Sequence, residues 1–212
     1  MLCPRRRSNS SRIVSKSKAR RCLQPTASLK TKYCQAEFNT AIGLDPSIDW
    51  REAGKIIAQV NSYAESNATD LLMICAARAK FYQCLGKQYN SCVSLYSLIG
   101  KPQTSLQNAE RLYYSLDFMC NAGFEETMHQ YDCIATIALT GAVKPCFDTF
   151  NAQISGHPER LCDAVNTNGG CLNDLYANTC TTDPKGAGWY GCQSWVGAYE
   201  ESCYTKPRCF VH

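Results

Sequence analysis

The sequence predicts an all-α fold, in which disulfide bonds staple a helical bundle. Hydrophobic residues recur three and four positions apart along much of the chain, which is the period of a helix. No run of six or more residues alternates as a strand would. The 212 residues also include 15 cysteines, a proportion typical of disulfide-rich scaffolds in oxidising compartments. We therefore expect a secreted protein, although no secretory signal is visible in the first residues.

Charge divides the chain into two parts. Residues 1–32 hold ten Lys and Arg and no acidic residue, whereas the remainder holds 12 basic and 18 acidic residues. We therefore predict a basic, disordered segment over 1–33 and a cysteine-rich helical domain over 34–209. The acidic balance of the folded part argues against binding to nucleic acid. No apolar run approaches the length of about 18 residues that a membrane span needs.

The first helical patterns cover residues 50–66 and 68–85. In the second of these, Asp70 or Thr69 is placed to cap the start, and Gly86 is placed to end the helix. The segments that follow are predicted in order as a linker over 100–110, two helices over 109–139, a short helix over 144–154, a helix interrupted at Asn168-Gly169-Gly170, a loop over 181–191, and a final aromatic helix that ends near Cys203.

The spacing of the cysteines favours disulfides over metal. Structural zinc sites usually take ligands from cysteine pairs two to four residues apart, and the chain has no CxxC. We therefore predict no metal, no cofactor, and a structural role for 13 cysteines. These are Cys34, Cys75, Cys84, Cys92, Cys120, Cys133, Cys146, Cys162, Cys171, Cys180, Cys192, Cys203 and Cys209.

Three of these cysteines share one helical stretch. On a helix Cys75 and Cys84 stand about 13 Å apart, well beyond the roughly 7 Å that a disulfide spans between Cα atoms. Each is therefore expected to bond to another segment, either to a cysteine between 120 and 146 or to Cys34. The triplet Cys75-x8-Cys84-x7-Cys92 also resembles Cys162-x8-Cys171-x8-Cys180. This weak repeat suggests two helical subdomains, with boundaries placed at 34–150 and 158–209.

One pair of residues could support catalysis. His129 and Cys133 lie four positions apart, the spacing of a Cys–His nucleophilic pair on one face of a helix. Among so many cysteines, however, a disulfide is the expected state of Cys133. We predict that the protein is not an enzyme and has no catalytic residues. The alternative is a secreted enzyme that uses His129 with a nearby acid.

Two sites could carry sugars. Asn67-Ala68-Thr69 is an N-glycosylation sequon. Ser155-Gly156 is the dipeptide used for glycosaminoglycan attachment, although its neighbours lack the usual acidic cluster. Asn67 and Ser155 are the candidate glycosylation sites.

The later part of the chain resembles a known family. The segments "ERLYYSLDFMCNAGFEETMHQYDCIATI", "KPCFDTF" and "CLNDLYANTC…GWYGCQSWVGAYEESC" are similar to nematode secreted domains of the chondroitin proteoglycan 4 type. They are also similar to related cysteine-rich nematode domains of unknown function. The likeness covers roughly residues 75–203. It rests on the order of the cysteines and on the pattern of aromatic and glycine residues in the helices.

The resemblance implies an extracellular, helical, disulfide-linked domain without enzymatic activity. Its expected role is structural, in extracellular matrix, or the binding of an extracellular protein or glycan. The proteoglycan role is not carried over, because the single Ser-Gly site is a poor one. A second likeness, to the helical cysteine-rich modules of neurotrophic-factor co-receptors, implies a ligand-binding module instead.

Overall fold

The computed structural model describes residues 25–49, 52–93, 103–200, 202–203 and 209. These residues form helices joined by short turns and include no strand, which confirms the predicted disulfide-stapled all-α fold. None of the described helices is long and apolar enough to cross a membrane. The helices of the first half are α1 (Pro25–Ala41), α2 (Ala53–Ala64), α3 (Ala68–Leu85), α4 (Tyr89–Cys92) and α5 (Gln103–Asp117). A π-helical turn (Phe118–Ala122) then leads to α6 (Phe124–His129), α7 (Tyr131–Leu139), α8 (Lys144–Ile154), α9 (Leu161–Thr179) and α10 (Pro184–Val196).

The buried side chains form two hydrophobic clusters, and these divide the fold into two halves. The first cluster draws on α1 to α5, and the second on the π-helical turn and the helices that follow it. The border falls in the π-helical turn, where Phe118 belongs to the second cluster and Met119 packs against the first, so Cys120 is counted with the first half. The subdivision between 150 and 158 that the repeat suggested is therefore misplaced, because α7 and α8 pack into the second cluster.

The disulfides follow the same division. Each of the six described bridges joins two cysteines of one half, with Cα atoms 5.2 to 5.8 Å apart. Cys92 is also disulfide-bonded, and its partner lies outside the described residues. The first half holds Cys34–Cys84 and Cys75–Cys120, and the second holds Cys133–Cys180, Cys146–Cys171, Cys162–Cys203 and Cys192–Cys209.

Helix α1 begins at Pro25, inside the segment predicted to be disordered. That prediction is wrong for residues 25–33, and it stays a prediction for residues 1–24, which lie outside the described ranges. The helix was missed because polar side chains occupy part of its buried face, so the hydrophobic period is weak. The buried residues on this face are Thr31, Cys34, Gln35, Phe38 and Asn39, and Ile42 is buried directly after the helix ends.

Hydrogen bonds satisfy the polar groups on that face. Asn39 Nδ2 donates to the carbonyl oxygens of Asp45 and Ile48, at 3.2 and 3.0 Å. Gln35 Nε2 donates to Asn39 Oδ1 at 2.7 Å, and the Tyr113 hydroxyl donates to Gln35 Oε1 at 3.2 Å. A buried amide without partners would be costly, so this chain of bonds explains how α1 can bury polar side chains against α5.

Helix α9 runs without interruption from Leu161 to Thr179, so the predicted break at residues 168–170 is wrong. Gly169 is buried where α9 packs on α10, and a Cβ added there would lie 2.6 Å from Val196 Cγ2. Gly191 on α10 is equally confined, since an added Cβ would lie 2.9 Å from the carbonyl oxygen of Leu172. These glycines serve close packing between helices and do not mark turns.

Two predicted irregular segments are partly helical. The linker placed at 100–110 includes the start of α5, which begins at Gln103. The loop placed at 181–191 includes the start of α10, because Asp183 Oδ1 accepts a hydrogen bond from Gly186 N at 3.1 Å and Pro184 occupies the first turn. An aspartate cap followed by proline is a regular way to begin a helix, and this signal was available in the sequence.

Candidate functional site

A cleft of about 310 Å³ lies between the two halves. We call it the central cleft. One side is formed by α2 of the first half, and the others by α5, the π-helical turn, and α6 to α10. Its volume is at the lower end of the range found for pockets that bind small molecules, roughly 300–1,000 Å³.

Most of the lining is apolar. Helix α2 contributes Ile57 and Val60, and the π-helical turn contributes Phe118. The opposite side carries Leu172 from α9 and the indole of Trp195 from α10. An apolar molecule that entered the cleft would exchange water for these surfaces, which is the main source of affinity in sites of this kind.

A carboxylate and three tyrosines, Tyr131, Tyr176 and Tyr190, add polar groups to the cleft. Burial raises the pKa of Glu65, whose side chain makes no ion pair with a described residue. The Tyr131 hydroxyl donates to the carbonyl oxygen of Ala64 at 2.8 Å. Burial is the largest cause that raises the pKa of Tyr176. The neighbouring Tyr190 and the Glu65 carboxylate raise it further. Tyr176 therefore keeps its proton at neutral pH, and its hydroxyl makes no hydrogen bond with a described residue.

A single arginine adds a positive charge. The Arg111 guanidinium carbon lies 5.2 Å from the ring centroid of Trp195, within the range of a cation–π contact. Arg111 forms no ion pair with any described carboxylate. The cleft therefore offers apolar walls, one stacked cation, one half-buried carboxylate and hydroxyl groups that include that of Tyr176. This set of groups is suited to holding a small molecule by its apolar body and orienting it by a polar end.

No motif or spacing in the sequence indicates this cleft. Its lining residues are spread between positions 57 and 198 and come from both halves. Each of them, taken alone, reads as an ordinary core or surface position of a helix. Only the tertiary arrangement, in which α2 packs on α5 and the Tyr131 hydroxyl of α7 reaches Ala64, brings them together, so neither a motif nor a spacing could have revealed them.

The structure corrects the catalytic alternative in one respect. Cys133 is bonded to Cys180, so it has no thiol to act as a nucleophile beside His129. His129 ends α6 on the exposed surface, away from the central cleft, and makes no hydrogen bond or ion pair with a described residue. Among the described residues, no group of three or more His, Cys, Asp or Glu is arranged to hold a metal ion.

Both glycosylation candidates are exposed. Ser155 follows the end of α8, beside Gly156, which has a φ of +74°. Asn67 is the N-cap of α3, and its Oδ1 accepts a hydrogen bond from Asp70 N at 2.9 Å. The predicted cap, Asp70 or Thr69, is therefore wrong. An Asn side chain caps a helix as well as Asp does, and this one is also the acceptor residue of the sequon.

The capping geometry yields a test of glycosylation at Asn67. Attachment would replace one amide hydrogen on Nδ2 and leave Oδ1 free to cap the helix. We expect the protein secreted from eukaryotic cells to lose mass on treatment with an N-glycosidase, and Thr69→Ala to remove the part of that loss that comes from Asn67 without disturbing the cap. The chain's other sequon, Asn9-Ser10-Ser11, is unchanged in this variant. Asn67→Ala should remove the same part and also lower the free energy of unfolding by about 1 kcal/mol. An unchanged mass after treatment of the wild-type protein would contradict the prediction.

Comparison with known proteins adds no relative to these observations. No family model, no curated protein and no solved structure matches this chain. The likeness to the chondroitin proteoglycan 4-type domains therefore rests on the residues quoted for it and stays an expectation, and what the structure itself establishes is a disulfide-stapled, all-α chain whose two halves enclose a cleft.

Proposed function

We propose that this protein is a secreted, non-enzymatic binding domain that receives a small, mostly apolar ligand in its central cleft. The observation that carries the proposal is the cleft itself, because both stapled halves contribute to its walls. The six described bridges are compatible with an extracellular location, where disulfides form and persist.

The composition of the cleft supports binding more than chemistry. Its polar groups include the Arg111 cation, the Glu65 carboxylate and the Tyr176 hydroxyl. A nucleophile next to a base would have supported an enzyme, and the one pair that the sequence offered is excluded by the Cys133–Cys180 bridge. The role in matrix and the protein or glycan partner that the family resemblance implies remain predictions.

The proposal predicts that the native protein binds 1-anilinonaphthalene-8-sulfonate, a dye with an aromatic body and one anionic group. We expect saturable binding with one dye per cleft, because the cleft's volume of about 310 Å³ suits one such molecule. Ala138→Phe should weaken this binding by at least about tenfold, since a phenyl ring at this lining position occupies the space. Dye fluorescence in a titration measures both affinities.

A neighbouring residue provides the control. Leu139 is on the same helix, α7, but is 66% exposed and does not line the cleft, so Leu139→Phe should bind the dye as the wild type does. Circular dichroism of each variant establishes that it is folded, because loosely packed proteins bind this dye nonspecifically. Equal binding by the two variants, or none by the folded wild type, would overturn the proposal.

A further inference from the structure

We propose that the two halves are copies of one three-disulfide helical unit, and that a seventh bridge, Cys22–Cys92, completes the first copy. The inference concerns the disulfide pairing of the chain and is independent of what the central cleft binds. It rests on the order of pairing, on the positions of the cysteines in the helices, and on the bonded state of Cys92.

The long helix of each half carries two cysteines nine residues apart. On α3 these are Cys75 and Cys84, and on α9 they are Cys162 and Cys171. In both halves the first of the two bonds forward in the chain and the second bonds backward. The forward bridges are Cys75–Cys120 and Cys162–Cys203, and the backward bridges are Cys34–Cys84 and Cys146–Cys171.

The partners also occupy equivalent places. Each backward bridge reaches the cysteine that comes directly before the long helix in the chain. This cysteine is Cys34, on α1, in the first half and Cys146, on α8, in the second. Each forward partner lies just beyond the next long helix, Cys120 after α5 and Cys203 after α10. Each half also encloses its own hydrophobic cluster. The copies are not identical, since α2 and α4 of the first half have no described counterpart in the second, and α6 and the Cys192–Cys209 bridge have none in the first.

A third cysteine follows the long helix in both halves. In the second half it is Cys180, which bonds backward to Cys133. Its counterpart in the first half is Cys92, which is bonded to a cysteine outside the described residues. The six described bridges use the other 12 described cysteines, so only Cys3 and Cys22 remain in the chain.

The order of pairing is thus the same in both halves, because Cys3 and Cys22 both precede Cys34. Six cysteines allow 15 connectivities, and any one of the second half's four bridges could be set aside, so two unrelated halves would agree by chance in at most about four cases in 15. Spacing then selects the partner. Cys133 stands 13 residues before Cys146, and Cys22 stands 12 residues before Cys34, whereas Cys3 stands 31 residues before it.

The bond forms as the other bridges do. The thiols of Cys22 and Cys92 lose their two protons, and two electrons pass to a disulfide oxidant of the compartment by thiol–disulfide exchange. The product is one S–S bond in the protein and one reduced dithiol in the oxidant.

Disulfide mapping of the full-length protein tests the proposal. We expect proteolysis without reduction to release a peptide pair that joins Cys22 to Cys92, identified by mass spectrometry. Cys22→Ser and Cys92→Ser should each expose one additional alkylatable thiol and lower the melting temperature by about 10 °C. Cys3→Ser is the matched control and should leave the melting temperature unchanged.

A Cys3–Cys92 peptide pair in the wild-type protein would overturn the proposal, whatever the variants do. So would a Cys22→Ser variant that melts at the wild-type temperature. Because the mapping uses the wild-type chain, the test stands even if a variant fails to fold.

Discussion

Reduction of the disulfides should unfold this protein completely. The six described bridges close loops of 17 to 50 residues. In the loop-entropy description each such bridge disfavours the unfolded chain by about 3–4 kcal/mol, and together they contribute about 20 kcal/mol. That exceeds the net stability typical of a domain, about 5–15 kcal/mol. The two hydrophobic clusters are therefore expected to be too small to hold the helices together without the bridges.

Circular dichroism at 222 nm, with and without reductant, measures the effect. We expect the helical signal to collapse on full reduction at 25 °C and to return on reoxidation. A variant that lacks only Cys192 and Cys209 is the control, because it removes the shortest described loop and should stay folded in oxidising buffer. A helical signal that survives full reduction would show that the hydrophobic clusters hold the fold alone.

Two adjacent glycines on α9 should respond in opposite directions to the same substitution. Gly169→Ala places a Cβ 2.6 Å from Val196 Cγ2, and the stiff valine side chain cannot rotate away without meeting its own helix. We expect this substitution to lower the free energy of unfolding by about 1–3 kcal/mol. Gly170→Ala meets nothing within 4 Å and should raise it by about 0.5–1 kcal/mol, because alanine favours the helix.

Denaturant titration of both variants measures this difference. The pair controls for helix propensity, since both substitutions add one methyl group at neighbouring positions of one helix. If Gly169→Ala were as stable as Gly170→Ala, the close approach of α9 and α10 would be wrong. The central cleft would then also need revision, because Leu172 and Trp195 line it from these two helices.

Local chemistry made the fold class predictable. The helical period of residues 68–85 and the density of cysteines are properties of short windows, and each indicates its structure without reference to distant residues. The rise of a helix likewise required Cys75 and Cys84 to bond elsewhere, and they bond to Cys120 and Cys34. The repeat of cysteine triplets was also visible and suggested two subdomains, although it did not locate the border between the two hydrophobic clusters.

The failures came where tertiary contacts reverse a local signal. Helix α1 buries Gln35 and Asn39, and only hydrogen bonds from outside the helix make polar residues tolerable there. The sequence Gly169-Gly170 predicts a break in the helix, yet Gly169 has no side chain at the point where Val196 packs against α9. A short stretch of sequence cannot show whether a polar residue or a glycine is tolerated inside a helix, because the residue that it contacts lies in another segment.

The sequence by itself determined that the chain is helical and cross-linked, because a helical period and a high cysteine content are set by neighbouring residues. Only the tertiary structure decided which cysteines pair, where the border between the halves falls, and that Ile57 and Trp195 face one cleft. Pairing and cleft formation depend on distances between segments that are far apart in the chain. Those distances are set by the packing of one helix against another. The effect of a residue in such a contact depends on the residue that it meets on the other helix.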